Sequence, residues 1–544
     1  MKTKLLLATI AAAALSACGG GGSDSTATPA SVTTKVSGTA AVGAALANAQ
    51  VVAKCAAGGG TATTAADGTY TLNIADAKRP CVLTVTSADG STKLHSVIEA
   101  GTGTSVVANI TPLTELLTAS LAGGDTQAFF DTFDAAAQAK LTAAGLTGAM
   151  ETVRLVLTGT VDLTGIDPLK DTLVAAHGST PGNALDQRLD TLGAALTTAK
   201  TSLADLSAAV GGTKGSTDGV KGLLSPASAT CASYRSGKYQ KVDLTTNTVQ
   251  RYTVDAVAMT RVNDATGAID QFAANPNEYC RVGNTDIRLL VSKSGIGLER
   301  RSGLPSLLIP VQNVPLAELA GSWIAMAFER DTSPGNYASS LSQFTLNAAG
   351  KFTAGVECDK NGCNQPWDAN DLPTATVNAD GGFNVTDSGG VTRGFAFKNS
   401  DGQMALVLVH ANGFVLARQA IPRVLPAVGT KNVYWDANVG PTGLTDITAF
   451  SNQVLSVDPA TSSYVRTRIE DGRVETFTDN KPFPGVRYRP EVAAVNGAGG
   501  ASEMIGMSLA NTGLTAAINV NPANPFFSIS VDRPNPIGPA TQAQ

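Results

Sequence analysis

Asn-Gly and Asp-Gly dipeptides set between β-prone runs limit the possible folds of this chain more than any other feature. Asp401-Gly402 separates Phe397 from Met404-Ala405-Leu406, and Asn412-Gly413 separates Leu408-Val409 from Phe414-Val415-Leu416. Asp471-Gly472 stands between the run from Tyr464 to Ile469 and the run from Val474 to Phe477. A tight hairpin whose turn matches strand twist needs positive φ, which Gly adopts without a Cβ clash and which Asn and Asp tolerate. With a further turn at Gly350 between Phe344-Thr345-Leu346-Asn347 and Lys351-Phe352-Thr353, the chain from Cys231 to about Asp532 reads as an antiparallel β-meander or barrel. Its 544 residues suffice for several domains, and 56 glycines with only 15% charged residues suit thin β-rich units with many turns.

The N-terminal third changes period twice. Val36-Ser37-Gly38-Thr39, Ala49-Gln50-Val51-Val52, Thr69-Tyr70-Thr71-Leu72 and Val82-Leu83-Thr84-Val85 are short β-prone runs, with Asp67-Gly68 as a turn before the third. This segment, 35–110, resembles the carboxypeptidase-regulatory-like, transthyretin-type β-sandwich. The resemblance implies a non-catalytic spacer or binding accessory. At Thr111-Pro112 the pattern becomes helical, with Thr111 as cap, Pro112 at the first helical position and Gly123-Gly124 as the stop. Asp125 opens a run with Phe129, Phe130 and Phe133, and Asp167-Pro168 opens one ending at His177-Gly178. Leu185, Leu189, Leu192, Leu196, Leu203 and Leu206 form a stripe that buries one helical face as intramolecular core. The expected class is multidomain and mainly β: a sandwich, a helical segment over 111–210, a Gly/Ser-rich linker over 211–230, then β units over 231–315, 316–425 and 426–535, with a tail at 536–544.

Two features mark repetition in the C-terminal half. Leu290-Val291, Gly295, Leu298 and Arg300 recur as Leu408-Val409, Gly413, Leu416 and Arg418 at equal spacing. Gly237-Lys238-Tyr239 and Gly321-Ser322-Trp323 each open a unit with glycine and an aromatic. The second, with Arg418 near its end, resembles the lipocalin-like barrel pattern, which implies that Trp323 stacks on Arg418 and plugs one barrel end; the alternative is Trp323 as ordinary sheet core with Arg418 in solvent. Such a stacking contact contributes about 0.5–2 kcal/mol, depending on burial.

At the N-terminus, Lys2 and Lys4 precede an apolar run from Leu5 to Ala14, too short to span a bilayer, and then Leu15-Ser16-Ala17-Cys18 and a glycine run. These residues resemble a bacterial lipoprotein signal. The resemblance implies a signal peptide over 1–17, a lipidated Cys18, a flexible tether over 18–34 and, since Gly19 is not Asp, an outer-membrane location facing periplasm or surface. The six remaining cysteines are an even set suited to an oxidising compartment. Sequence order and the domain limits favour Cys55 with Cys81, Cys231 with Cys280 and Cys358 with Cys363. Loop closure gives the first two about 3.5 and 4 kcal/mol and the last about 2 kcal/mol.

Catalytic motifs are sparse. His95, His177 and His410 lie in three different sections without metal-ligand spacing, His177 reading as a helix C-terminal residue and His410 as a strand residue at a hairpin. No serine-hydrolase elbow and no phosphate loop occurs, and a net charge of -5 with no local run of Lys and Arg argues against nucleic acid. Asp359, Asn361 and Asp368 are hard oxygen ligands of the kind Ca²⁺ takes, although their spacing fits solvated turns as well. Trp367 is a candidate ligand platform. The expected role is a non-enzymatic envelope binding or scaffolding protein, with the bilayer and a small ligand or envelope protein as partners and no cofactor. The alternative is an envelope hydrolase using a carboxylate pair on a glycan or ester.

Overall fold

The computed structural model describes residues 32–533, apart from 214–216, 232, 275–280, 284–286, 331–335, 446, 496–498, 520 and 522. Cys18, the tether and Cys280 therefore lie outside the described residues. The fold is multidomain and mainly β.

Strands Gly59–Thr63, Gln50–Ala57, Lys78–Thr86 and Lys93–Ile98 form one sheet of the N-terminal sandwich; Thr69–Ala75, Thr33–Thr39 and Ser105–Val107 form the other. Alternate residues Tyr70, Leu72 and Ile74 point into the apolar layer between them, as the two-residue period of a strand requires. Cys55 and Cys81 stand directly opposite on neighbouring strands and are disulfide-bonded.

Helix Pro112–Ala122 begins where expected, with Thr111 capping it and Gly123 closing it at φ 71°. The leucine stripe is divided between helices Ala184–Ala199 and Leu203–Gly212, because Lys200 turns left-handed and Ser202 caps anew. Leu185, Leu189, Leu192 and Leu206 are buried in the helical core. No helix forms over the run from Asp167 to Gly178: the Asp167 carbonyl accepts from Lys170 and Asp171, which makes one isolated turn. Gly165 and Gly178 both take positive φ, so the backbone leaves helical geometry at either side of that turn. His177 is accordingly a turn residue, not a helix terminus.

The C-terminal half contains three antiparallel sheets of the same order, in which the first strand pairs with the last. In the first, Gly237–Asp243 pairs with Leu304–Pro310, and the two edge strands Ile269–Gln271 and Ala273–Ala274 are consecutive in the chain with only Phe272 between them. The sheet therefore curls round and closes through one bent strand. The second behaves likewise. Gly321–Arg330 pairs with Gly413–Gln419, and the chain from Gly362 to Val377 follows one neighbour throughout, Trp367 N donating to Gly355 O and Ala375 N to Gly350 O. In the third, Lys431–Gly440 pairs with both Thr448–Asp458 and Phe526–Asp532, so eight strands close by ladder alone.

Architecture thus repeats three times. The sequence match between Leu290-Val291 and Leu408-Val409 aligns hairpins that sit one strand apart in the two sheets, since Ile287–Val291 is third from the end of its sheet and Met404–His410 second from the end of its own. The outer faces share one core: Ile324, Met326 and Phe328 of the second unit meet Phe527 and Ile529 of the third. Phe328 lies 5.6 Å from Phe414 and 6.2 Å from Phe527 between ring centres.

Candidate functional site

What fills each barrel differs, and that difference locates the site. In the first unit the lumen is closed by ions. Glu299, fully buried, accepts from Lys241 at 2.7 Å and from Arg261, while Arg261 Nε donates to Asp270 at 2.9 Å and its guanidinium lies over Tyr252 and Phe272. Burial opposes the Glu299 charge, but Arg261 and Lys241 outweigh it and bring the carboxyl down to about 2.

In the second unit the lumen is closed by aromatic packing. Trp323, fully buried, stacks on Phe344 at 6.3 Å and donates from Nε1 to Leu319 O at 2.8 Å. Arg418 is not its partner. Across this strand pair Trp323 faces Gln419 while Arg418 faces Ile324, so the two side chains leave opposite faces of the sheet. The Arg418 guanidinium instead spends its donors outside, on the carbonyls of Gln419, Ile421 and Ser508. Closure of this barrel falls to Trp367, whose indole stacks on Phe344 and Phe352 and donates to Glu357 at 2.7 Å. It crosses Gly355, where an added Cβ would lie 1.9 Å from the ring. Trp367 is half-buried and packs against the aromatic core, over Gly355 and beside Phe344 and Phe352.

The third barrel inverts this arrangement. Along Phe526–Asp532, Phe527, Ile529 and Val531 enter the core shared with the other units, which turns Ser528, Ser530 and Asp532 into the lumen. Lys431–Gly440 does the same with Asn432, Tyr434 and Asp436. Strands Ser463–Arg468 and Arg487–Arg489 send in Arg466, Arg468, Arg487 and Arg489, and the cavity they line measures about 560 Å³. Arg473, Arg423 and Arg418 complete a set of seven lining arginines.

Carboxylates neutralise part of this set. Glu475 accepts from Arg466 at 2.8 Å, from Arg473 at 2.8 Å and from Arg489, and although burial opposes its charge these arginines bring it down to about 2. Arg468 pairs with Asp471, and Arg423 Nε donates to Asp479 at 2.8 Å. Arg487 makes no salt bridge, since Asp479, opposite it across the ladder, is taken by Arg423. Arg487 donates to the Tyr464 hydroxyl at 3.3 Å and covers one face of Phe477. Four buried donors around the lumen are without acceptors: Arg473 Nε, Arg487 Nε, Arg489 Nε and Asn452 Nδ2. Asn452 and Arg489 are only 1% and 5% exposed, so water does not reach them freely. Two lining carboxyls, Asp436 and Asp532, are held above the ordinary range by burial, against the Ser530 hydroxyl and Arg466 in one case and Lys293 and Arg487 in the other.

A crevice of about 920 Å³ lies where the helical segment meets the first two units; among its lining cations Arg235 donates to the carbonyls of Ala199, Leu223 and Ser225 as a clasp and Lys238 pairs with Asp264, while Lys221 and Lys293 also line it. Buried His95 pairs with Glu115 at 2.9 Å. Glu115 also takes the hydroxyls of Thr126 and Ser207, which ties sheet to helices and leaves neither hydroxyl aimed at the His95 imidazole. His410 ends its strand at the Asn412-Gly413 hairpin. Asp359 receives Asn361 N and Gly362 N, and Asp368 receives Asn370 N, so the oxygens expected to hold Ca²⁺ cap their own turns; no group of three or more metal-ligating side chains converges among the described residues. Cys358 and Cys363 face each other across one hairpin and are bonded. Cys231 is fully buried, and its expected partner Cys280 lies outside the described residues.

The arginine cluster escaped sequence reading because no stretch is rich in basic residues: it assembles from strands between Arg466 and Arg489, with Arg418 and Arg423 before them. The available signal was the alternation Tyr464-Val465-Arg466-Thr467-Arg468 and Arg487-Tyr488-Arg489.

Fold and cavity together describe a chain of tandem up-and-down β units on a sandwich-and-helix base, with one lumen left hollow and polar. No family model matches the sequence, and the search of curated proteins found no match. Among solved structures, the chain is similar to a protein of unknown function from the DUF3598 family of Nostoc punctiforme, with 11% identity, 41% of this chain and 100% of that chain covered, and a TM-score of 0.16.

Proposed function

We propose that this chain is an outer-membrane lipoprotein, acylated at Cys18, that acts as a non-enzymatic binding protein with the lumen of the third barrel as its ligand site. The hollow lumen carries the reading, because buried donors without acceptors are costly unless a ligand completes them. The lipoprotein part is supported by the basic start, the short apolar run and Leu15-Ser16-Ala17-Cys18. The bonded pairs Cys55–Cys81 and Cys358–Cys363 suit an oxidising compartment. Two fatty chains on one residue make release from a bilayer slow, since each buried methylene contributes about 0.8 kcal/mol. The test is expression in a bacterial host, with mass spectrometry of the mature N-terminus and native mass spectrometry of the released protein. A lipid-modified Cys18 and a co-purifying small molecule are expected. An unmodified residue 18, or a precursor whose size ignores globomycin, overturns the anchor; a barrel that carries and takes up nothing overturns the binding role.

A hydrolase reading has one observation in its favour. Tyr434 stands opposite Asp532 and Asp436 opposite Ser530, so Asp436 and Asp532 are diagonal neighbours on adjacent strands, both raised by burial. Diagonal side chains of this kind lie about 7–8 Å apart, a separation at which paired carboxyls can share acid and base roles. Turnover of glycosides or esters that disappears in Asp436→Asn would favour this reading over binding.

A further inference from the structure

Position around the barrel divides its lumen into two walls. With eight strands, Ser463–Arg468 stands across from Leu514–Asn519, and Arg487–Arg489 stands across from Lys431–Gly440. One wall is therefore cationic, and the facing wall presents Thr515, Ser528, Ser530 and Asn432. These neutral groups both donate and accept, the complement of a hydroxylated molecule, and the carboxyls of Asp436 and Asp532 stand among them on the same strands.

Charge on the cationic wall is out of balance. Glu475 is one carboxylate shared by three arginines and Asp471 takes one, while Arg487 makes no salt bridge: Asp479, opposite it across the ladder, is taken by Arg423, and Asp532 acts on it only from further off. The fold also makes room for Arg487: its cross-strand neighbour is Gly506, where an added Cβ would come within 3.0 Å of Arg487 Nε. A half-buried guanidinium with no carboxylate in contact and its Nε donor unused is a group that an anion from outside can complete. Arg489 Nε, buried two residues along the same strand, supplies a further donor on that wall.

We infer that the lumen of the third barrel binds a small anionic polyol, a sugar phosphate or sugar acid, with its phosphate or carboxylate on Arg487 and its hydroxyls on the Thr515, Ser528 and Ser530 wall. The inference rests on the binding reading above and gives that site its ligand class. A cavity of about 560 Å³ accommodates a molecule of this size. Phosphate and carboxylate both match the planar fork of a guanidinium, so the anion can be either.

Isothermal titration of the full chain with glucose 6-phosphate, glucuronate, glucose and inorganic phosphate tests it. One of the two anionic sugars binds, glucose binds at least about tenfold more weakly, and Arg487→Gln loses about tenfold or more, as expected for a charged hydrogen bond. The preferred sugar tells phosphate from carboxylate. Ser528→Ala weakens the anionic sugar and leaves inorganic phosphate unchanged, a split that general unfolding would not produce; unchanged melting of Arg487→Gln excludes unfolding directly. No heat with either anionic sugar, or equal affinity in Arg487→Gln, overturns the inference. A co-purifying neutral molecule that Arg487→Gln retains overturns the anion while leaving the binding role intact; a barrel empty in both assays overturns both.

Discussion

The second and third barrels share strand order yet differ in what their walls face. The second encloses Trp323, Phe344, Phe352 and Phe383, and Trp367 fills its remaining end. The third turns Phe527, Ile529 and Val531 outward, and its lumen keeps arginines, serines and a cavity beside a smaller apolar cluster around Tyr464, Phe477 and Met504. Where a strand is covered by another unit its outer face must be apolar, so the alternate residues are released from packing duty and can take polar roles. Topology therefore builds the wall, and the choice of which face is apolar decides between plug and pocket.

Truncation at the centre of the packed barrel is expected to have the largest effect. Trp323→Ala removes a fully buried indole stacked on Phe344 and should cost about 3–5 kcal/mol in the unfolding transition of that unit. In the third barrel Arg487→Gln, facing a cavity, should cost under about 1 kcal/mol, since no carboxylate loses its partner. Equal losses in denaturant melts would mean that the third lumen is packed as tightly as the second.

Removing the shared carboxylate comes next. Glu475→Gln leaves Arg466, Arg473 and Arg489 without their counter-charge and should cost about 3 kcal/mol. Acid provides the same test without mutation. Glu475 and Glu299 both have folded values of about 2, below their ordinary 4.5, so their contribution is complete above pH 4.5 and is lost as pH falls towards 2. Glu357 in the second barrel has the opposite sign: burial raises it, so its contribution is present below its ordinary value and fades as pH rises through the raised one. Hydrogen exchange at pH 3 should show the first and third barrels loosening before the second. Simultaneous loosening of all three would remove the ionic distinction between their lumens.

Local chemistry made the β architecture legible. Gly350, Gly402 and Gly472 take positive φ at turns whose neighbouring residues announced a hairpin, and Thr111-Pro112 and Gly123 marked the first helix at both ends. The polar lumen was not legible for a related reason. Alternation in Phe526–Asp532 shows that a strand has two faces, but which one is inside depends on units more than a hundred residues away, such as Phe328 against Phe527. Trp323 and Arg418 show the same limit. Both sit on strands as the pattern implied, and one position of register sends them to opposite sides of the sheet. The run after Asp167 failed differently: its leucines are buried, Leu169 and Leu173 among them, but in an irregular segment that packs without a helix.

The smallest effect concerns a clamp that the third barrel lacks among its described residues. Cys358 and Cys363 are separated by 5 residues and join strands Phe352–Asp359 and Gly362–Pro366 beside Trp367. Closing so short a loop removes little entropy from the unfolded chain, about 2 kcal/mol on the loop-length relation, compared with about 3.5 kcal/mol for Cys55–Cys81. The hairpin also retains its own ladder and the Asp359 turn bonds when the sulfurs are separated. Paired replacement of Cys358 and Cys363 by serine should therefore lower the second barrel's stability by no more than about 2 kcal/mol. Trp367 fluorescence should remain that of a stacked, half-buried indole, because Phe344, Phe352 and Glu357 hold it from the other side. A red-shifted, solvent-exposed indole in that variant would show that the bridge, and not aromatic packing, keeps the second lumen shut.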